Sequence, residues 1–247
     1  FSDDIALISA KANHNNHYLF VKLYVPKTAQ PQTVKLTTGK TKFTYQLKAR
    51  NSANKAKLGL DPSDLIYLIT PDRFANGNPK NDVIKSLNET KVDRTEPYAR
   101  HGGDIAGMHA KLDYLYDLGI TALWINPLLE NNQPEASYHG YAITDHYKTD
   151  PRFGTNQEYK AFVDACHEKG IRVIMDVIYN HFGNEHYLFT DQPEPDFFNQ
   201  WPTFTKTNYR ATTLHDPYAS ADDKNKMMNG WFDKHMPDVN QKNQHVF

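Results

Sequence analysis

The residues best suited to chemistry lie within and just after the apolar stretch GIRVIMDVIYNHFG, residues 170–183. Asp176, Asn180 and His181 stand at or just past the end of a nearly unbroken run of apolar residues. Such a run is typical of a parallel strand that is covered on both faces. Because binding and catalytic groups collect at the carboxyl ends of parallel strands, these three side chains are candidates for a site. The alternative is a loop that Asn180 and His181 cap, with Asp176 bonded to the backbone.

A second group of polar residues supplies oxygen atoms rather than acids and bases. Its members fall in two short segments after the first predicted strand: Asn76, Asn78, Asn81, Asp82, Gly102 and Asp104. Six or more oxygen ligands with little formal charge are typical of a structural Ca²⁺ site. The DxDxDG spacing of an EF-hand is absent, and the twelve histidines show no spacing typical of zinc. We therefore predict that this loop binds Ca²⁺, and a solvated Asn-rich loop is the alternative.

The composition narrows the class of protein. A hydrophobic fraction of 39% and an aromatic fraction of 13% supply a sizeable core and surfaces on which flat rings can stack. The net charge of -1 predicts no nucleic-acid partner, and the sequence lacks the apolar run of about 18 residues that predicts a membrane span. A single cysteine, Cys166, excludes an internal disulfide. A signal peptide is not recognisable, but a mature secreted chain would also lack one, so its absence leaves the compartment open. We favour a periplasmic or secreted protein and keep the cytoplasm as the alternative.

The middle of the chain predicts parallel strands joined by helices. Three short buried strands are predicted, at residues 64–69, 120–125 and 171–178. Apolar residues at helical spacing predict one helix over 105–118, which Gly119 ends. Thr155 and Glu158 have the spacing of a capping box and predict the start of a second helix. This order predicts right-handed βαβ units, with the long loops at the strand ends where a (β/α)8 barrel places its site.

The two flanking regions have different compositions. Residues 1–57 predict β structure, with strands at 17–25, 32–38 and 42–50. Phe43 and Tyr45 alternate with polar residues, which is typical of a half-buried antiparallel strand, and 51–57 has linker composition. Three strands are too few for a closed sandwich, so this is either an accessory sheet or part of a larger β domain.

The segment 182–240 shows no helical pattern and is too long for an ordinary loop, so it predicts an inserted subdomain or a binding loop. Aromatic side chains above a strand-end site would suit sugar rings, whose apolar faces stack on flat groups. For most of them, however, we expect a small core of the insert itself. These aromatic residues are Tyr187, Phe189, Phe197, Phe198, Trp201, Phe204 and Tyr209.

Several multi-residue motifs, taken in order, resemble the α-amylase family of glycoside hydrolases (family 13), and most closely its neopullulanase and cyclomaltodextrinase branch. The matching segments are DVIYNH at 176–181, MPDVN at 236–240, YHGYAITDHYKTDPRFGT at 138–155, and PDRFANGNPKND at 71–82 with GGD at 102–104. The resemblance implies an α/β fold: the N-terminal part of a (β/α)8 TIM barrel with an inserted B domain, preceded by part of a β-sandwich. It divides the chain into sandwich (1–57), three β/α units (58–181), B domain (182–240) and return to the barrel (241–247).

The same resemblance implies an activity. The family cleaves α-1,4-glucosidic bonds, here in cyclodextrins, pullulan, maltooligosaccharides or starch, by a retaining double displacement. That reaction needs a nucleophilic carboxylate and a carboxylic acid about 5 Å apart. In the family these groups follow the fourth and fifth strands, so we expect both beyond Phe247. The alternatives are an α-glucan transglycosylase, such as a cyclodextrin glucanotransferase, and a non-catalytic α-glucan-binding protein. The sequence leaves open whether the chain forms a homodimer through its β domain.

Individual residues receive roles from the resemblance. Tyr141 would stack under the sugar at the cleavage site, His181 would bond its primary hydroxyl, and His139 would line the same pocket. Asp176 would orient the arginine of the absent nucleophile motif. The predicted Ca²⁺ loop matches the family's N-terminal calcium loop, with Asn76 where many relatives carry aspartate. A second calcium site of other branches would use Asn180 and Asp238, and we do not expect it in this branch.

Overall fold

The computed structural model describes residues 5–48 and 59–246. The chain divides into two compact units, residues 1–61 and residues 62–247. The predicted linker at 51–57 lies outside the described residues. Within the described ranges, no helix is both long enough and apolar enough to cross a membrane.

The first unit consists of two antiparallel β-hairpins. Its strands are β1 (Ala6–Ala12), β2 (Leu19–Tyr24), β3 (Gln32–Thr38) and β4 (Thr41–Leu47), paired β1 with β2 and β3 with β4. The antiparallel pairing of β3 and β4 around Gly39 confirms the predicted turn, and β1 is a strand that the sequence pattern did not predict. The predicted half-burial of β4 is wrong, because Phe43 is 51% and Tyr45 58% exposed. In a two-stranded sheet Tyr45 lies opposite Val34 and covers it, but remains uncovered itself.

The second unit alternates short strands with helices. Its strands are β5 (Ile66–Ile69), β6 (Ala122–Ile125), β7 (Leu129–Glu130), β8 (Asp145–Thr149) and β9 (Arg172–Met175). Its helices are α1 (Pro71–Phe74), α2 (Ile105–Ala110), α3 (Leu112–Asp117), α4 (Asn156–Glu168), α5 (Tyr187–Thr190) and α6 (Ala221–Asn229). β5, β6 and β9 form one parallel sheet in that order, which confirms the predicted succession of parallel strands.

One face of this sheet carries the main core. Ile69, Leu123 and Ile125 pack against apolar side chains from the helices and loops, including Ile105, Met108, Leu112, Leu115, Phe162 and Cys166. On the other face Leu68 is 57% and Trp124 41% exposed. In the third strand, β9, three residues are half-buried and Met175 is 45% exposed, so the prediction that both of its faces are covered is wrong for the described structure. Among the described residues the helices cover one face of the sheet, and β9 ends at Met175, directly before Asp176.

The helices agree with the sequence pattern where local capping determines them. Both bonds of the predicted capping box are present: the Glu158 N–H donates to Thr155 Oγ1 at 3.1 Å, and the Thr155 N–H donates to Glu158 Oε2 at 2.7 Å. The predicted helix 105–118 is instead two helices, because Lys111 leaves the helical conformation between α2 and α3. The apolar spacing continues across this break, so periodicity alone could not reveal it.

The insert has a small core of its own and more helix than predicted. Phe197, Phe198 and Val239 are buried together, with partly buried apolar residues packed against them: Phe182, Leu188, Phe189 and Val246. The prediction of an insert without helix is wrong, since α5 and α6 are present. Ser220 caps the start of α6, and its hydroxyl accepts from the Asp223 N–H at 3.0 Å. Because α6 is mostly polar, its sequence lacks the apolar period that predicts a helix.

Candidate functional site

A cavity of about 610 Å³ lies where the loops after β6 and β9 meet the insert. It brings together His139, Tyr141 and His181, the three residues that we predicted to bind sugar. Asp176 lies beside it through a hydrogen bond with Tyr141. The insert supplies much of the remaining wall, including Thr207, Tyr209, Met227, Gly230, Phe232 and Met236.

Asp176 fixes the position of Tyr141. The Tyr141 hydroxyl donates to Asp176 Oδ2 at 3.0 Å, and Trp124 Nε1 donates to the same oxygen at 3.0 Å. Trp124 belongs to β6 and Asp176 directly follows β9, so the bond network joins neighbouring strand ends. Burial, and then the bond to Asp176, raise the pKa of Tyr141 to about 12. Tyr141 is therefore a neutral, protonated side chain at physiological pH, and its ring is held in one orientation.

A tight turn presents His139 and Tyr141 to the cavity. Residues Ser137–His139 form one 3₁₀ turn, flanked by Ala136 and Gly140 in the left-handed conformation, with φ of 54° and 81°. The Tyr141 N–H donates to His139 Nδ1 at 2.9 Å, so neutral His139 carries its proton on Nε2. The rings of His139 and Tyr141 are nearly parallel, with centroids 5.9 Å apart. This turn therefore sets the position of both rings together.

His181 is held from three sides and is only 5% exposed. Its Nε2 lies 3.0 Å from the Tyr141 carbonyl oxygen and its Nδ1 lies 3.3 Å from the Asn180 amide nitrogen. The Phe232 ring stacks on the imidazole at 4.7 Å, with an interplanar angle of 22°. Both ring nitrogens thus have protein partners, and the bond from His181 to a sugar hydroxyl stays a prediction.

The sequence analysis missed Phe232, which forms part of the cavity wall. Tyr209 supports it: its hydroxyl donates to the Phe232 carbonyl oxygen, and the two rings meet edge to face at 5.1 Å. Tyr209 has a positive φ of 55°, which is unusual for a tyrosine. The position of Phe232 four residues before the MPDVN motif was the available signal, since that motif ends the insert near the strand-end site.

The candidate calcium residues also come together. A side-chain carbon on Gly102 would lie 2.9 Å from the Asp82 carboxylate, and the Asn76 amide donates to Asp82 Oδ1 at 2.7 Å. The side-chain oxygens of Asn76 and Asn81 are buried without a hydrogen-bond partner. Two unpartnered buried oxygens beside a carboxylate are chemically suited to a hard cation.

Asp104, which we predicted to be a calcium ligand, bonds backbone N–H groups in the structure. Its carboxylate accepts from the backbone N–H groups of Gly77 at 3.0 Å, Asn78 at 2.8 Å and Gly107 at 2.6 Å. It caps α2 and fastens the loop to that helix, so its oxygens are already used by three donors. In the described part of the chain, no three His, Cys, Asp or Glu side chains converge in a metal-binding arrangement. Any ion in this loop would therefore be held by amide and carbonyl oxygens together with the Asp82 carboxylate.

Asn180 and Asp238, which form a second calcium site in other branches of the family, are joined by a hydrogen bond here. Asp238 accepts from the Asn199 amide at 2.7 Å, and its carboxyl group is also bonded by the Asn180 side chain. Burial raises the pKa of Asp238 to about 6 despite these two bonds. Amide donors thus satisfy this carboxyl group without an ion.

Buried histidines make stability depend on pH. Burial lowers the pKa of His139, His181 and His186 from 6.5 to about 4. Between pH 6.5 and 4 the unfolded chain binds protons that the folded chain excludes, so the free energy of unfolding decreases as the pH falls through this window. We expect the urea midpoint of the protein to be clearly lower at pH 5 than at pH 7.5. Urea titrations at both pH values measure this difference.

The matched variants for this prediction are His186→Asn and His167→Asn. His186 is fully buried, and its Nδ1 accepts from the Leu188 N–H at 3.0 Å, a bond that an asparagine oxygen can also accept. His167 lies on the exposed surface of α4. His186→Asn should reduce the dependence of the urea midpoint on pH, and His167→Asn should leave it unchanged. Equal pH dependence in all three proteins would contradict the prediction.

Comparison with known proteins gives two separate family matches along the chain. Residues 68–247 match the family model of the alpha amylase catalytic domain, and residues 2–51 match that of the cyclomaltodextrinase N-terminal domain. The chain is 32% identical over 164 residues to neopullulanase 2 of Thermoactinomyces vulgaris, covering 62% of this chain and 27% of that protein. It is 37% identical over 160 residues to the cyclomaltodextrinase of Thermoanaerobacter pseudethanolicus, covering 60% and 26%. The chain thus spans about a quarter of the length of these curated relatives.

Solved structures give the same result for the second unit. The crystal structure of an Anoxybacillus α-amylase superimposes with a TM-score of 0.59 at 36% identity, covering 74% of this chain and 35% of that chain. The family match extends over most of the sequence and includes every residue that lines the cavity. The chain therefore belongs to the α-amylase family, and the relatives that it resembles include neopullulanases and cyclomaltodextrinases.

Proposed function

We propose that the full-length protein hydrolyses α-1,4-glucosidic bonds in cyclodextrins, pullulan, maltooligosaccharides or starch by a retaining double displacement. The observation that carries this proposal is the convergence of His139, Tyr141 and His181 around one cavity at the carboxyl ends of parallel strands. The names of two relatives, a neopullulanase and a cyclomaltodextrinase, support α-glucans as substrates. The nucleophile and the general acid would come from later barrel strands, which follow the 247 residues in sequence.

The geometry of Tyr141 suits a sugar ring that flattens during the reaction. Its hydroxyl is fixed to Asp176, so the ring can present one face to the cavity without losing further rotamer freedom. A glucosyl ring that develops oxocarbenium character would lie against the electron-rich face of this phenol. Because the attraction grows as positive charge develops, Tyr141 would stabilise the transition state more than the bound substrate.

Asp176 would act through neighbouring groups rather than on the sugar. One of its oxygens, Oδ2, already accepts from both Tyr141 and Trp124. By the resemblance, the other hydrogen bonds that the Asp176 carboxylate can accept would come from the arginine of the nucleophile motif on the next strand. In this arrangement the Asp176 carboxylate would fix the position of the Tyr141 ring relative to the nucleophile.

An assay of the purified full-length protein tests the proposed function. β-Cyclodextrin, pullulan and maltohexaose should each release reducing sugar, whereas cellohexaose, which has β-1,4 links, should release none. The cellohexaose arm matters because it separates α-glucan hydrolysis from contamination by a general glycosidase. Absence of turnover on all three α-glucans at high enzyme concentration would refute the proposal.

We also propose that the loop 76–104 binds one Ca²⁺. The unpartnered oxygens of Asn76 and Asn81, the Asp82 carboxylate and the carbonyl of Gly102 would hold the ion, with Asn78 close by and Asp104 fastening the loop from behind. The residues present fit such an ion because the donors are hard oxygens of low total charge. A bound ion would supply structure rather than chemistry, and would fasten the loop to the helix α2.

Chelation tests the calcium proposal. A ligand that binds only the folded state adds about 2.7 kcal/mol of stability at a hundredfold excess over Kd. We therefore expect EDTA to lower the Tm of the wild type, but not that of Asp82→Ala. Asp93→Ala is the matched control, since Asp93 lies in the same loop and bonds Thr95 instead of the cluster. Asp104→Ala is unsuitable, because it removes three backbone bonds with or without an ion. If EDTA shifts neither the wild type nor Asp93→Ala, the loop binds no calcium.

We propose in addition that the full-length protein forms a homodimer through its β domain. The exposed aromatic side chains of Phe43 and Tyr45 on β4 support it, because clustered apolar surface is typical of interaction sites. Sedimentation velocity of the full-length protein decides between the monomer and the dimer, and a monomer at all micromolar concentrations would refute a dimer.

A further inference from the structure

Ser137 opens the turn that presents His139 and Tyr141, and every polar group of Ser137 is bonded from outside that turn. Its N–H donates to Glu89 Oε2 at 2.7 Å, and its hydroxyl accepts from Arg100 at 3.3 Å. Its carbonyl oxygen accepts from the Asn131 side chain at 3.0 Å. Ser137 itself is fully buried. The turn is therefore fastened at its first residue to the loop after β5, through Glu89 and Arg100, and to Asn131, which follows β7.

The partners of Ser137 are themselves held by a buried ion pair. Arg152 makes two bonds to Asp150, at 2.9 and 2.7 Å, and both side chains are fully buried. The same guanidinium donates to the carbonyl oxygens of Glu89 at 3.1 Å and Asn131 at 2.9 Å. Glu89 and Asn131 thus reach Ser137 with their side chains while Arg152 fixes their backbones. The loop after β5 and the loop after β6 are locked together at this point.

The turn needs these bonds because its backbone includes an energetically unfavourable conformation. Ala136, directly before Ser137, has a positive φ of 54°, a conformation that costs a residue other than glycine about 1 to 2 kcal/mol. Residues in this conformation persist where the surrounding structure determines them. Of the three bonds to Ser137, the bond from its N–H to Glu89 is the shortest and has a charged acceptor.

We infer that Glu89 is a positioning residue for the catalytic cavity, acting through Ser137 on the turn that carries His139 and Tyr141. Its effect on catalysis rests on the proposed function, whereas its effect on the turn does not. Glu89 lies in the loop after the first barrel strand, far in sequence from the residues that it positions. Loss of its carboxylate would leave the Ser137 N–H buried without an acceptor and would let the strained turn relax.

His139 provides a readout that is independent of activity. The turn holds the imidazole beside the Tyr141 ring, with centroids 5.9 Å apart, and burial, then the nearby His235 and His181, lowers its pKa to about 4. A relaxed turn would admit water, and the His139 midpoint would move toward the 6.5 of an ordinary histidine. NMR of histidine-labelled protein between pH 7.5 and 5 detects this change, with the His139→Gln spectrum assigning the signal.

The test compares Glu89→Gln and Glu89→Met with the wild type of the full-length protein. Glutamine keeps the shape with a weaker acceptor, and methionine removes the acceptor. We expect kcat to fall by about tenfold for glutamine and about a hundredfold for methionine, with a much smaller change in KM, since small displacements of reacting groups have effects of this size. In both variants His139 should begin to protonate above pH 5, whereas in the wild type it should stay neutral.

Glu96→Gln and Glu96→Met are the matched controls. Glu96 is in the same loop and also accepts from a backbone N–H, that of Tyr98 at 3.3 Å, but it does not bond Ser137. Both control variants should keep the wild-type kcat and His139 titration. A lower Tm and kcat in the Glu89 variants with an unchanged His139 titration would overturn the inference and leave a structural role. If the wild type hydrolyses no α-glucan, the proposed function fails, and the His139 titration alone still decides the role of Glu89.

Discussion

Replacement of Tyr141 by alanine in the full-length enzyme is expected to lower kcat by about one to three orders of magnitude, the range for a single positioned transition-state group. KM should change much less. The ring is held by Asp176 in one orientation beside His139 and His181, so its contribution should grow as the sugar flattens and gains charge. Steady-state kinetics on maltohexaose measure both constants. We expect Tyr141→Phe, which keeps the ring and loses the bond to Asp176, to lie between alanine and the wild type.

Tyr147→Ala is the matched control for this prediction. Tyr147 lies on β8, six residues after Tyr141, is 82% exposed and lies outside the cavity wall, so its removal should leave both constants unchanged. Melting curves of all variants show whether the fold is intact. A tenfold rise in KM at unchanged kcat would contradict the prediction, because it would mean that Tyr141 binds substrate and transition state equally.

Replacement of Gly140 by alanine is expected to lower both kcat and stability. A side-chain carbon there would lie 2.2 Å from the Pro127 carbonyl oxygen, which is backbone and cannot rotate away. The turn that carries His139 and Tyr141 would have to move. A displacement of about 1 Å in a catalytic group commonly costs a hundredfold in rate, and we expect kcat to fall by about that factor. Kinetics and urea titration of the same preparation measure the two effects.

Gly119→Ala separates the steric clash from the cost of backbone conformation. Gly119 has a φ of 82°, nearly the 81° of Gly140, but no atom lies within 4 Å of its added carbon. Both variants should lose the about 1 to 2 kcal/mol that a left-handed residue costs, and only Gly140→Ala should lose more. If Gly140→Ala keeps the wild-type kcat, the position of the His139 and Tyr141 rings does not determine the rate.

The parts of the fold that depend on residues close together in the sequence were predictable. The capping box of Thr155 and Glu158 lies within one helical turn, and both of its bonds are present in the structure. The parallel strands β5, β6 and β9 are short apolar runs between glycine and polar loops, and their order was correct. α6 was missed because its polar sequence has no apolar face, and its start depends on the cap from Ser220.

Features that depend on tertiary contacts could not be predicted in this way. Asp104 has the residue type of a calcium ligand, yet it serves as a helix cap, because Gly77 and Asn78 fold back onto it. Glu89 and Ser137 are 48 residues apart and share no motif, so only the folded chain shows their bond. His139, Tyr141 and His181 were predicted because each stands in a short motif that resembles one of the α-amylase family. The motifs thus identified the cavity, and the network that holds it required the structure.

The central claim is that the cavity beside Tyr141 binds a glucosyl ring at the cleavage site. A crystal structure of the full-length protein, with its nucleophilic aspartate replaced by asparagine and maltohexaose soaked in, tests it most directly. We predict a glucosyl ring in van der Waals contact with the Tyr141 ring, enclosed by His139, His181 and Phe232. Oligosaccharide bound only at other surfaces, with the cavity empty at saturating sugar, would contradict the claim.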